Sequence, residues 1–237
     1  GDKPPSTAVG RATAVADRVD TLAGCFHLGL KPKGSADPLG LRRAAVGLLA
    51  ILLEAGVRVQ LPDLLSEGAH PAGEDLIGFV VARLRAVMME RYPTDIVDAV
   101  LACGDRDAVA LEGRAAAMAA LATTPAYEPL KQTFKRLANI TRDHHTPSYK
   151  ADAFVEDAET ALHIALTQSR QAAHALLDGG DFGAALRVLS ALQGPVDRLF
   201  LEVMVMDDDL EVRANRLGLL TAIGAEVHKI ADFKHLS

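Results

Sequence analysis

Apolar residues in this chain recur at three- and four-residue intervals, and they nowhere alternate singly between turns. Val15, Val19, Leu22 and Phe26 fall on one stripe, and Leu130, Phe134, Leu137 and Ala138 on another. That is the 3.6-residue period of an α-helix, not the two-residue period of a strand. Alanine and leucine dominate, and aromatic residues are only 4% of the 237 residues. The expected fold class is all-α.

The punctuation supports helical bundles. The spacing predicts helices at about 8–27, 38–55, 74–91, 95–103, 105–122, 127–142, 153–178, 182–193, 195–206 and 209–231. Asp37-Pro38 reads as a cap and first-turn proline, with Gly56 closing that helix; Gly179-Gly180-Asp181 closes one helix and caps the next, and Gly194-Pro195 reads the same way. The main break is expected at Thr123-Thr124-Pro125, with a second polar stretch from Thr141 to Tyr149.

Nearly half of the residues are hydrophobic, enough for one large core or two modest ones. No stretch approaches the roughly 18 to 20 apolar residues of a spanning helix, so no membrane partner is expected and a cytoplasmic location follows by default. The net charge of −6 argues against coating nucleic acid through bulk charge, although a confined basic face remains open. Cys25 and Cys103 lack metal-ligand spacing and are expected as buried free thiols.

Few residues offer chemistry. Asp17 and Asp20 lie together on the side of their helix away from its apolar stripe, which suits solvent, a partner surface or a metal. The basic loop carrying Lys31 and Lys33 runs into a helix start bearing Arg42 and Arg43. Free N–H groups and the helix dipole there suit a phosphate, with a capped helix start as the other reading. In "LKQTFKRLANITR" the apolar stripe leaves Lys131, Gln132, Lys135, Arg136, Asn139 and Arg142 on the opposite side, as a solvated basic face or as RNA contacts. Tyr127, Tyr149, His144 and His145 flank it, as base-stacking groups or as loop anchors. Arg213 projects onto the apolar stripe of the last helix and is expected to be partly buried against Asp197, while Arg213 and Arg216 keep RNA contact as a second reading. The histidines show neither a zinc pair nor a triad, so no catalytic or metal residue is assigned.

The run from Ala12 to Glu54, "ATAVADRVDTLAGCFHLGLKPKGSADPLGLRRAAVGLLAILLE", resembles the beta subunit of the bacterial two-subunit glycyl-tRNA synthetases. So do "FKRLANI", "PVDRLFLEVMVMDDDLEVRANRLGLLTAI" and "ADFKHLS" further on. Lys33, Ala36 and Leu39-Gly40 depart from the family pattern, and no role is carried to position 36.

The resemblance implies the C-terminal portion of a longer beta subunit. Residues 1–70 would be the end of a helical domain related to HD phosphohydrolases, 71–122 a helical linker, and 123–237 an anticodon-binding bundle of the arginyl-tRNA synthetase (DALR) type. The implied function is binding of glycine tRNA and recognition of its anticodon, in support of ATP-dependent glycine attachment by an alpha/beta complex. Glycine tRNA and the alpha subunit are the implied partners, with no DNA. ATP serves the complete enzyme, and this chain itself is expected to bind no cofactor and to lack the catalytic site. The tRNA-binding set is Lys131, Lys135, Arg136, Asn139 and Arg142; Lys31, Lys33, Arg42, Arg43, Arg213 and Arg216 form a secondary set with RNA or structural roles. Two alternatives are a metal-dependent HD-type phosphohydrolase fragment and a structural module that joins subunits. The first has little to build on, because the chain has no His-Asp pair and offers only Asp20 as a distant ligand.

Overall fold

A computed structural model describes residues 4–32 and 36–237. It is helical throughout, with eleven α-helices among the described residues: α1 (Ala8–His27), α2 (Leu41–Ala55), α3 (Leu61–Ser66), α4 (Glu74–Met89), α5 (Thr94–Leu101), α6 (Ala108–Ala122), α7 (Tyr127–Ile140), α8 (Asp157–Asp178), α9 (Phe182–Ser190), α10 (Gln193–Glu202) and α11 (Leu210–His228). Short 3₁₀ turns cover Ala151–Ala153 and Phe233–His235. Among the described residues no strand forms, and Gln60 and Asp107 make an isolated antiparallel bridge.

The chain divides into two compact units, Gly1–Tyr92 with Gly104–Glu112, and Pro93–Cys103 with Gly113–Ser237. These divisions differ from the boundaries at 70 and 122 that the resemblance implies. α4, expected in a linker, packs against α1, α2 and α3, and Thr123-Thr124-Pro125 is a turn inside the second unit.

In the first unit, α1 is capped by Thr7, whose hydroxyl accepts from the Gly10 N–H at 3.1 Å. It turns Val19 and Leu22 into the core beside Leu48 and Leu52 of α2 and Leu84 of α4. α2 starts three residues later than expected, because Pro38 and Leu39 form a turn. Asp37 still caps it, accepting from the N–H groups of Leu41 at 2.8 Å and Arg42 at 3.0 Å. Gly56 closes it with φ +62°, the left-handed conformation that a side chain disfavours. The six-residue α3 has no counterpart among the helices read from the sequence. Asp107, 3% exposed, accepts from Arg58 Nε at 3.1 Å and from the first N–H groups of α6, at 3.0 Å from Val109 and 3.1 Å from Ala110.

In the second unit, α11 packs on α7, α8 and α9. Its buried residues, among them Arg216, Leu219, Leu220, Ile223, Glu226 and Val227, run around the helix and do not form one stripe. The segment 144–150 is strapped along it. Asn215 accepts from the Lys150 N–H at 2.7 Å and donates to the Lys150 carbonyl at 3.1 Å, while Thr221 donates to the His144 carbonyl at 3.3 Å. The turn between α8 and α9 forms as expected: Gly180 takes φ +78° and Asp181 caps α9 through the Ala184 N–H at 2.9 Å. Gly194 and Pro195 do not separate two helices as expected; they lie in the first turn of α10. Cys25 and Cys103 stand outside any disulfide, and are half-buried where full burial was expected.

Candidate nucleic-acid interface

The amphipathic helix α7 organises the site. Tyr127, Leu130, Thr133, Phe134 and Leu137 are buried along one side, and Pro129 sits in the first turn, where a helix needs no N–H. Two contacts lock α7 to α10. Thr133 Oγ1 donates to Asp197 Oδ1 at 2.7 Å, and one turn on the Arg136 guanidinium lies over the Phe200 ring, 4.2 Å from its centroid. Both partners advance by three residues, so the two helices run side by side in the same sense.

The expected tRNA-binding residues separate into two groups. Lys131 reaches Glu128 Oε1 at 2.9 Å and donates to the Ser237 carbonyl, and Lys135 donates to the Leu236 carbonyl. Both lysines therefore tie the C-terminal segment to α7, where Phe233 meets Phe134 edge-on at 5.2 Å. Arg136, Asn139 and Arg142 are exposed together with Gln132. Arg142 Nη2 donates to Asn139 Oδ1 at 3.0 Å, which leaves the Asn139 amide N–H groups as outward donors.

Several secondary candidates take structural roles. Arg216, not Arg213, is the buried arginine of α11. It is 3% exposed and donates to Glu159 Oε1 at 3.2 Å, Asp207 Oδ2 at 2.7 Å and the Met204 carbonyl at 2.9 Å. From there it presents almost no surface to a ligand. Arg213 is half-buried, and its expected partner Asp197 is engaged by Thr133. In the first unit Lys31 pairs with Asp75, and Arg42 donates to the Ala36 carbonyl at 3.1 Å. Arg43 is exposed; Lys33 lies outside the described residues. The N–H groups that a phosphate would have used at the start of α2 are taken by Asp37.

The flanking aromatics anchor the fold. Tyr127 is 8% exposed, and Tyr149 bonds His163 Nδ1 at 2.9 Å and stacks on Phe154. Burial raises the pKa of both phenols above the ordinary value. His145 is exposed, whereas His144 is half-buried with Nε2 enclosed. Sequence reasoning misses Phe200, because its contact is with Arg136, 64 positions away on α7. Asp17 and Asp20 are exposed on α1, and among the described residues no three His, Cys, Asp or Glu side chains are grouped to hold a metal.

Comparison with known proteins gives two family matches. Residues 1–102 match the model of the glycyl-tRNA synthetase beta subunit, and residues 130–232 match that of the DALR anticodon binding domain. Similar proteins include the glycine–tRNA ligase beta subunits of Citrifermentans bemidjiense, 37% identical over 248 residues, and Solidesulfovibrio magneticus, 38% identical over 252 residues. These alignments cover 100% and 98% of this chain and 36% of each relative. The corresponding protein of Geobacter sulfurreducens is 42% identical over 217 residues, covering 87% of this chain and 31% of the relative. The chain thus spans about a third of the length of the curated relatives it matches.

Proposed function

The chain belongs to the glycyl-tRNA synthetase beta-subunit family, and from that premise we propose that its second unit binds glycine tRNA and recognises the anticodon. The observation that carries this reading is the exposed group Arg136, Asn139 and Arg142, which lies inside the stretch matched as an anticodon-binding domain. A guanidinium and an amide present hydrogen-bond donors to phosphates and to the edges of unpaired bases, and the net acidity of the chain confines such binding to a local face. Lys131 and Lys135, on the same side of α7, hold the C-terminal segment.

In this reading the chain does no bond chemistry. Glycine activation with ATP and transfer to the tRNA belong to the complete enzyme, with an alpha subunit as partner and the cytoplasm as location. No described helix is long and apolar enough to cross a membrane. The phosphohydrolase alternative is not favoured, since Asp17 and Asp20 stand exposed and, among the described residues, no further ligands are grouped around them.

Titration with glycine tRNA and with an anticodon-substituted version tests the proposal. Tighter binding of the native anticodon is expected. Equal binding of both, or of neither, would overturn it.

A further inference from the structure

The contact between Arg136 and Phe200 has features that a plain phosphate-binding arginine does not need. The guanidinium carbon is 4.2 Å from the ring centroid, while Arg136 as a whole is exposed and Phe200 half-buried. One side of the cation is therefore supported by the ring, and the rest faces solvent. Among the described residues no carboxylate is paired with Arg136. The nearby acid on the α7–α10 seam, Asp197, is held one turn away by Thr133 and, at 3.5 Å, by Gln193. The arginine thus keeps its charge and its donors while the ring restricts the rotamers it can visit.

We propose that Arg136, laid on Phe200, is a preformed shelf on which one unpaired base of a single-stranded RNA loop stacks. A guanidinium plane and a nucleobase plane stack through dispersion and cation–π attraction, independently of which base is present. The ring beneath contributes by removing the entropy cost of flattening a long side chain at the moment of binding. Gln132 and Asn139, about one turn to either side on the same exposed face of α7, are placed to meet the edge of the stacked base, and Asn139 offers it N–H donors. Arg136 is on this view a base-contacting residue, and Phe200 a positioning residue that acts through it. The inference rests on the tRNA-binding reading.

The test uses the protein in its full natural length and glycine tRNA carrying the fluorescent purine 2-aminopurine at each anticodon-loop position in turn. The unmodified protein is expected to change the fluorescence most strongly at one position. Arg136→Lys, which keeps the charge but has no planar face, should abolish that change and weaken binding roughly tenfold. The salt dependence of binding should stay as it was, because no phosphate contact is lost. Phe200→Leu should act in the same direction without altering any charge, with circular dichroism checking that the helices persist. An Arg136→Lys variant that keeps both affinity and fluorescence response would overturn the shelf and leave the tRNA-binding reading standing. Absence of tRNA binding by the unmodified protein would overturn both.

Discussion

Glu159 and Arg216 meet at 3.2 Å with 1% and 4% of their side chains exposed. The glutamate comes from the first turn of α8 and the arginine from α11, and each is fully employed. Glu159 Oε2 accepts from the N–H groups of Val155 at 3.0 Å and Glu156 at 2.8 Å, completing a capping box, while Arg216 also holds Asp207 and the Met204 carbonyl. Removing one member of a buried pair strands the other charge, which costs about 3–5 kcal/mol. Arg216→Met is therefore expected to lower stability by that order and to loosen residues 203–209, as measured by urea unfolding and amide exchange. Glu159→Gln should be milder, because the amide oxygen can still accept from part of the cap. Equal stability of Arg216→Met and the unmodified chain would contradict this account.

The same cluster predicts an acid-sensitive limb. Asp207 accepts from the backbone N–H of Asp209 and from Arg216, in that order of importance, and its carboxyl is held below the ordinary value of 3.8. A folded-state pKa below the unfolded one stabilises the fold fully above the unfolded value and is lost as pH falls through the folded value. Stability should thus be flat above about pH 5 with respect to this group and decline below pH 3.8. Asp207→Asn should lose stability near neutral pH and show a shallower decline in acid. A decline of unchanged steepness in that variant would remove Asp207 from the explanation.

Gly218 tests the strap across α11. A Cβ at this position would overlap the carbonyl group of Ser148 and touch the Tyr149 Cβ at van der Waals distance. Backbone cannot swing aside as a flexible side chain does, so Gly218→Ala must displace the segment 144–150 and the Asn215 contacts with Lys150. The expected cost is about 1–3 kcal/mol, the range of ordinary overpacking. It would appear as a lower urea midpoint, with Tyr149 more accessible to solvent. Alanine is otherwise the better helix former, so a neutral or stabilising result would show that the strap yields freely.

These sites also show why some features are legible in the sequence and others are not. α1 can be read over its full length because one of its sides alone is buried, so its apolar stripe is unmistakable. α11 is enclosed on several sides, and a single-stripe projection chooses Arg213 where the fold buries Arg216. α3 is too short to complete two turns and carries Pro62, so periodicity has nothing to register. The exposed side of α7 can be read, since its apolar stripe is narrow. The diversion of Lys131 and Lys135 to the C-terminal segment cannot, because it depends on residues about a hundred positions away. Phe200 escapes for the same reason: its significance lies in what α7 places above it.

The division of the α7 cations gives a last prediction. Arg142 is exposed and bonded only to a neutral amide among the described residues, so its charge is available to a phosphate. Lys135 already donates to the Leu236 carbonyl from a half-buried position, and leaving that bond for RNA would uncover the C-terminal segment. Arg142→Ala should therefore weaken tRNA binding at all sequences alike and lower the slope of log affinity against log salt by about 1, with helical content unchanged. Lys135→Met should leave affinity and slope near their original values and lower stability by about 1 kcal/mol through the lost hydrogen bond. Both variants are compared by filter binding across a salt series and by urea unfolding. If Lys135→Met lowers the salt slope as Arg142→Ala does, the lysine leaves its carbonyl when RNA arrives, and the assignment of structural and RNA-facing cations on α7 fails.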